Sequence, residues 1–484
     1  MSAVLVVDVG TSSVRAAVVH DDASVAAEVA TPLLPSSPEP GLVEFDAVAM
    51  AAAAVDVATR SLEAHGGPVV AVGISNQRGS TVVWDRATGE PVGPGIGWQD
   101  LRTVFTCLEM KAQGLRLAPN MSATKVAWLL DTFDNDRARD LCFGTVDTWI
   151  AWTLSGGSVH VTDATNAAIT GLTTQGGEGW APEVLAALGI PTAMLPAIVD
   201  TSGVVGGASA LPGAPPIAAL AGDQQASLVG QGGVRPGLAK ATFGTGGMLD
   251  VCVGGERPAF EVQGPAGTFP IVTWRRGGAD TWGLEAIALA AGTNVEWLRD
   301  DLGIIASAAE SHDVAASCDD TGGVIYVPAL LGLGTPRWDY GARGTLLGLT
   351  RGSGRAEVVR AVLEGVAQRG ADLVEAVEAD AALTLPSLRI DGGMSENPTF
   401  VQALADAAQR PIEVSPQREA TTLGAGLLAG LAVGVWPDLE EVGATWHPRE
   451  VVEPRPGHAP DRERWKEAVD RAAGWLPDLS AVEF

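Results

Sequence analysis

An apolar run from Ile217 to Ala221 ends in Gly222 and a single carboxylate, Asp223; beyond it the pattern turns helical, with Ala226, Leu228 and Val229 on one side. A carboxylate at a strand-to-helix junction is held by the first helical N–H groups and kept ionised, at low pKa, by the helix dipole. It can act as an N-cap, or as a base that takes the proton of a substrate hydroxyl. Asparagine would cap as well as aspartate, so only the groups around Asp223 separate the two roles.

Two other stretches carry donors suited to phosphate. Asp8-Val-Gly10-Thr11-Ser12-Ser13 lies between the apolar strands Val4–Val7 and Val14–Val19, the second interrupted by Arg15. Phe243-Gly244-Thr245-Gly246 repeats the design about half a chain later. A hairpin tip of glycine and hydroxyls offers free N–H and O–H groups, the kind that cradle phosphate. Polar groups also close the strand Pro68–Ile74, as Ser75-Asn-Gln-Arg78-Gly79, and Trp98-Gln99-Asp100 follow at the next such end. Such ends are where α/β proteins place their sites. Farther on, Asp391-Gly392-Gly393 precedes Asn397-Pro398, an N-cap and first helical turn. A glycine pair there lets a phosphate or base approach the backbone. Each of these taken singly reads equally as a turn, a surface arginine, a core tryptophan or a plain cap.

The elements that must position these groups alternate between strand and helix, which indicates an α/β protein. Helices are expected around Asp56–Arg60, Met121–Leu130, Glu357–Ala376, Thr422–Gly434 and Trp465–Trp475, and also across Trp282–Trp297. Ser202–Pro216, rich in Gly, Ala and Pro, reads as a loop. The repeated tip divides the chain into 1–233, which holds Asp223, and 234–436, followed by a helical tail, 437–484, docked on the body. With 484 residues and 46% hydrophobic content, a large core is available. A net charge of −27 excludes a general affinity for nucleic acid or anionic membrane. Cys107, Cys142, Cys252 and Cys318 match no zinc spacing and read as reduced core thiols. Asp8 interrupts the first apolar run too early for a signal peptide; a cytoplasmic protein is expected, with a homodimer as the assembly to consider.

Joined in order, these motifs resemble the FGGY carbohydrate kinases, and among them most closely the glycerol kinases. The likeness runs from Val4 to about Trp436 and includes Gly144-Thr-Val-Asp-Thr-Trp149, Val159-His-Val-Thr-Asp163, Ala221-Gly-Asp-Gln-Gln225 and Gly341-Ala-Arg-Gly344. It implies two actin-like ATPase (ribonuclease H-like) domains, mixed sheets flanked by helices, with the active-site cleft between them. It implies transfer of the ATP γ-phosphoryl group to a hydroxyl of a small polyol or sugar. By the same resemblance Asp223 is the catalytic base and Asp8 the carboxylate near Mg2+, acting through water. Thr11, Ser12, Ser13, Arg15, Gly244 and Thr245 face the phosphates. Gly292, Glu296, Gly393 and Asn397 line the nucleotide pocket, and Arg78, Trp98, Asn120 and Gln224 the acceptor site.

Three positions depart from the glycerol kinase pattern: Gly79 replaces a glutamate that accepts glycerol hydroxyls, Asn120 a tyrosine, and Glu296 a glutamine. The expected result is a wider pocket that prefers a four- or five-carbon polyol or ketose, with Asp100 the group that swings in to replace the lost acceptor if glycerol is the substrate. Pentulose kinases and strict glycerol kinases are the alternatives. A non-catalytic actin-like ATPase is disfavoured by the retained Asp8, Arg78, Trp98 and Asp223.

Overall fold

The computed structural model describes residues 2–174, 177, 179–417 and 419–482. Two mixed sheets carry the architecture. The first contains β1 (Ala3–Val9), β2 (Ser13–His20), β3 (Val25–Pro32), β4 (Ala71–Asn76), β5 (Ser202–Gly207) and β6 (Pro216–Gly222), in the order β5-β6-β4-β1-β2-β3. The second contains β7 (Ala239–Phe243), β8 (Gly247–Gly254), β9 (Phe269–Arg276), β10 (Ala279–Ala288), β11 (Leu388–Asp391), β12 (Ile412–Val414) and β13 (Glu450–Val452), in the order β9-β10-β8-β7-β11-β12-β13. Their centres are alike. β1 pairs antiparallel with β2 and parallel with β4; β7 pairs antiparallel with β8 and parallel with β11.

Near-continuous apolar strands demand cover on both faces. On the first sheet, α1 (Ala47–His65) and α3 (Val146–Leu154) cover one face, α2 (Ala123–Phe133) lying farther out. Asp46 caps α1, and Gly66 ends it in the left-handed region, at φ 69°. The other face carries α4 (Asp223–Gly230) and, from far along the chain, α7 (Ala420–Ala432). On the second sheet, α5 (Arg355–Ala381) and α6 (Pro398–Ala408) pack through Val359, Val362, Leu363 and Leu404, all fully buried. Each such side chain contributes about 1.5–3 kcal/mol by leaving water. The tail helix α8 (Arg462–Ala472) seats Trp465 beside α5, its indole N–H donating to Asp372 at 3.0 Å.

α4 and α7 cross at glycines. A Cβ on Gly424 would overlap the carbonyl oxygen of Ala226, and one on Gly230 that of Ala420, so the backbones touch with no side chain between. The small residues of α7 are thus explained by contact with the first sheet's own helix.

Two sequence expectations fail. Trp282–Trp297 is not a helix: β10 runs to Ala288, and only Thr293–Glu296 is α-helical before a π-turn over Trp297–Asp301. Its alanines favour helix locally, but pairing with both β8 and β9 overrides propensity. Ser202–Gly207 is a strand, not a loop; its glycines are tolerated because β5 is the sheet edge. The four cysteines are unbonded, three buried and Cys318 partly so. Among the described residues no helix is long and apolar enough to cross a membrane.

Candidate active site

The strand ends and tips converge between the two sheets. Asp223 is the first residue of α4, and Gly222 takes the cap position without a side-chain bond. Asp223 is therefore not the N-cap. Its Oδ1 accepts from the Gln224 N–H at 2.8 Å and lies 3.5 Å from Arg78 Nε, with 31% of the side chain open to the cleft. The low pKa expected from the helix dipole is overturned: the surrounding protein displaces water and raises the carboxyl above its ordinary value, although Arg78 pulls the other way. A higher proton affinity suits a base.

Asp8, one residue before the end of β1, lies opposite Ser75 of β4, whose hydroxyl donates to Oδ1 at 2.7 Å. The Thr422 hydroxyl at the head of α7 reaches Oδ2 at 3.4 Å. Burial raises Asp8, and the nearby charge of Asp223 adds to it. The tip after β1 is closed by the Gly10 N–H on the Ser13 carbonyl at 3.0 Å; Ser12 is exposed, Thr11 and Ser13 half-buried. Arg15, opposite Asp8 on β2, is engaged by Glu28 and Glu419 and so is less available to a phosphate than expected.

The second tip leaves Thr245 exposed. Its carbonyl accepts from Ala291 N–H at 2.8 Å and the Thr293 hydroxyl at 2.9 Å. Gly292 packs against it so closely that a Cβ would stand 2.6 Å from the Gly244 carbonyl oxygen. At Gly244 and Gly393, by contrast, an added Cβ would meet nothing within 4 Å. Both glycines border open space between the halves, where a ligand can approach the main chain. Glu296 ends the short helix that follows Gly292. Asn397 caps α6 as expected, accepting from Phe400 N–H at 3.2 Å, and its amide donates to Ser311 at 2.9 Å.

Arg78 follows β4 and reaches across to the second sheet. Nη2 donates to Glu285 Oε2 on β10 at 2.5 Å, and Nη1 to Gln225 Oε1 at 3.5 Å. Gln224 Oε1 accepts from Lys240 Nζ at 2.6 Å. Trp98 is 38% exposed, and its ring N–H donates to Thr11 Oγ1 at 3.2 Å, joining it to the first tip.

The structure corrects two expectations about the acceptor pocket. Gly79 does not vacate space: at φ 71° a Cβ would overlap the Asn120 carbonyl oxygen, so the Asn120 backbone fills that position while its side chain is exposed. Asp100 cannot replace the missing glutamate. It is fully buried, accepts from Val43 N–H at 2.6 Å, and is held by Arg102 through two bonds of 2.8 Å.

Lys240, Asp250, Glu285 and Gln225 were not among the predicted site residues. A readable signal exists for three of them: each is a lone charge inside an apolar strand run, Ala-Lys240-Ala, Leu-Asp250-Val and Leu-Glu285-Ala.

Two mixed sheets with a Gly-Thr hairpin at the head of each, and a carboxylate between, define a two-domain phosphotransferase of the actin-like ATPase fold. Residues 3–230 match the N-terminal domain of the FGGY family of carbohydrate kinases and residues 239–433 its C-terminal domain. The chain belongs to that family, and is an ATP-dependent carbohydrate or polyol kinase. It is 43% identical to a glycerol kinase of Trichlorobacter lovleyi, covering 98% of this chain and 99% of the relative. It is 41% identical to glycerol kinase 2 of Thermotoga maritima, covering 98% and 99%. The structure of Plasmodium falciparum glycerol kinase with ADP superposes with a TM-score of 0.89 at 27% identity, covering 100% of this chain and 99% of that one.

Proposed function

We propose that Asp223 is the base that receives the proton of the attacked hydroxyl, and that Arg78, Trp98 and Gln224 bind the acceptor. The observation that carries this reading is the placement of Asp223: its carboxylate is released from capping, partly open to the cleft and 3.5 Å from Arg78. Phosphoryl transfer depends on positioning and charge stabilisation more than on covalent help. The N–H groups of the tips at Thr11–Ser13 and Gly244–Thr245 hold the phosphates from both sides, and the nucleotide lies along Gly292, Glu296, Gly393 and Asn397. Mg2+ fits at Asp8 through water, where it would neutralise phosphate charge: Asp8 lies close enough to Asp223 for the two to repel one another, and Asp223 is partly exposed. Among the described residues no cage of three or more ligating side chains exists, consistent with a metal completed by water and phosphate oxygens. We divide the chain at 233/234, with 437–484 as a tail that is not purely helical, since it adds β13 to the edge of the second sheet before α8 docks beside α5; we place the protein in the cytoplasm, with a homodimer as the assembly to test.

For the acceptor, the loss of a carboxylate at Gly79 and the exposed Asn120 amide favour a four- or five-carbon polyol or ketose over glycerol, now on grounds of chemistry and not of added volume at Gly79. A second reading, glycerol itself, is favoured by relatives of 41–43% identity that are glycerol kinases. Measuring kcat/KM for glycerol, erythritol, erythrulose, xylulose and ribulose by ADP release decides between them. A glycerol preference above about tenfold, roughly 1.4 kcal/mol in transition-state binding, establishes the second reading.

A further inference from the structure

Three neighbouring strands of the second sheet place charged side chains directly opposite one another. Lys240 on β7 faces Asp250 on β8, and Asp250 faces Glu285 on β10. Directly opposed residues on adjacent strands touch, and two like charges so placed destabilise a sheet unless compensated. Lys240 and Asp250 are fully buried and Glu285 is nearly so. Burying three ionisable groups is costly, and each needs a partner.

The compensation comes partly from the other half of the molecule. Lys240 Nζ lies 2.8 Å from Asp250 Oδ2, and its donors go to Gln224 Oε1 at 2.6 Å and Thr242 Oγ1 at 3.3 Å. Two of its hydrogens are thereby placed on neutral oxygens, and Asp250 is held by charge and not by a hydrogen bond. Glu285 takes Nη2 of Arg78 at 2.5 Å. Gln225 completes the link, accepting from Arg78 at 3.5 Å and donating to the Val272 carbonyl of β9 at 3.3 Å. The two acceptor-site side chains that leave the first half, Arg78 and Gln224, are thus each gripped by one member of the row. The ammonium group of Lys240 can only donate, so it fixes the Gln224 amide with its oxygen inward and its NH2 turned away from the row.

We propose that the cross-strand row Lys240–Asp250–Glu285 positions the acceptor-binding side chains Arg78 and Gln224, so that the nucleotide-side sheet sets the acceptor-site geometry of the other half. Asp250 pairs with Lys240 in the core, Lys240 orients the Gln224 amide, and Glu285 aims the guanidinium beside Asp223. None of the three residues touches the transferred group; they are positioning residues. The proposal rests on the reading of Arg78 and Gln224 as acceptor ligands.

The test is steady-state kinetics on the full-length protein with both substrates varied. Glu285→Leu should raise the acceptor KM about tenfold, the scale of one charge-assisted hydrogen bond, and leave the ATP KM unchanged. Glu285→Gln, which keeps an oxygen facing Arg78, should recover most of that loss. Lys240→Met alone leaves Asp250 buried and unpaired and is expected to fold poorly, so it is paired with Asp250→Leu; removing both charges of a buried pair is commonly tolerated. That double variant leaves the Gln224 oxygen unheld and should also show a raised acceptor KM at an unchanged ATP KM. A merely structural row predicts a wild-type acceptor KM in the double variant; that result, or parallel loss of ATP and acceptor affinity in Glu285→Leu, overturns the proposal. If the wild-type protein turns over no acceptor of the panel, the reading of the site itself fails, and the proposal with it.

Discussion

The two sheets build the same hairpin and then exchange its chemistry. In the first, the carboxylate lies on the hairpin and the hydroxyl on the parallel neighbour, Asp8 opposite Ser75. In the second, the hydroxyl lies on the hairpin and the carboxylate on the neighbour, Thr242 opposite Asp391. Burial raises both carboxyls, and each has one cation that pulls it down, Arg15 for Asp8 and Lys240 for Asp391, and one like charge that pushes it up, Asp223 and Asp250. The strand-to-helix junctions differ too. After β11 the helix is capped by a real side chain, Asn397; after β6 the cap is Gly222, and Asp223 is the first helical residue with 31% of its side chain exposed. A repeated backbone thus carries its carboxylate on opposite strands of the central pair and ends in two different strand-to-helix junctions.

The largest expected effect lies at the unequal junctions. Asp223→Asn should lower kcat by about 10² or more with thermal stability and ATP affinity kept, since it removes a base and no cap. Near-full activity in this variant would make the two junctions equivalent. Asp8→Asn and Asp391→Asn come next: the first should weaken turnover and its dependence on Mg2+ concentration, the second should lower the melting temperature and leave Mg2+ dependence alone. Matching Mg2+ profiles in the two variants would erase the exchange just described. Asn397→Ala should cost about 1 kcal/mol of stability, the usual worth of an N-cap; a raised ATP KM in the same variant would show that the cap also meets the nucleotide. Thr245→Val, at the second tip, should weaken ATP use modestly while the acceptor KM stays put.

Buried lysines extend the contrast and give the smallest effect. Lys240 is fully paired, whereas Lys125 on α2 is equally buried with no hydrogen-bond partner at Nζ, and burial pulls its pKa down to about 7. The unfolded chain holds that proton up to about pH 10.4. Between pH 7 and 10 the unfolded state therefore binds more protons, so stability rises with pH across that window. Lys125→Met should be more stable at pH 7 and should flatten the rise in melting temperature from pH 7 to 9; an equal slope in both proteins would count against an unpaired Lys125.

The tips, the Asp223 junction and the Asn397 cap were legible because glycine, hydroxyl and carboxylate at a strand end are local signals. The strand at Ala279–Ala288 was not, since its alanines favour helix and only its place between two strands decides otherwise. Gly79 showed that a side chain was missing but not that the Asn120 carbonyl had moved into its place, which is a long-range contact. Asp100 looked available because nothing in the sequence ties it to Val43, 57 positions away. The charge row was hidden for the same reason: its members are 10 and 35 residues apart and meet only through register.

The glycine crossing of α4 and α7 has a mechanical side. Main chain against main chain leaves no rotamers to yield, so the two helices turn as one spindle. Asp223 sits at the head of one, and at the head of the other the Thr421 hydroxyl reaches the Asp223 carbonyl oxygen at 3.5 Å and that of Thr422 reaches Asp8 at 3.4 Å. Asp223, and through the Thr422 hydroxyl Asp8 of β1, are consequently tied to the same pair of helices. Their mutual spacing is therefore set by the helix pair and the first sheet, and would survive any movement of the second sheet relative to them.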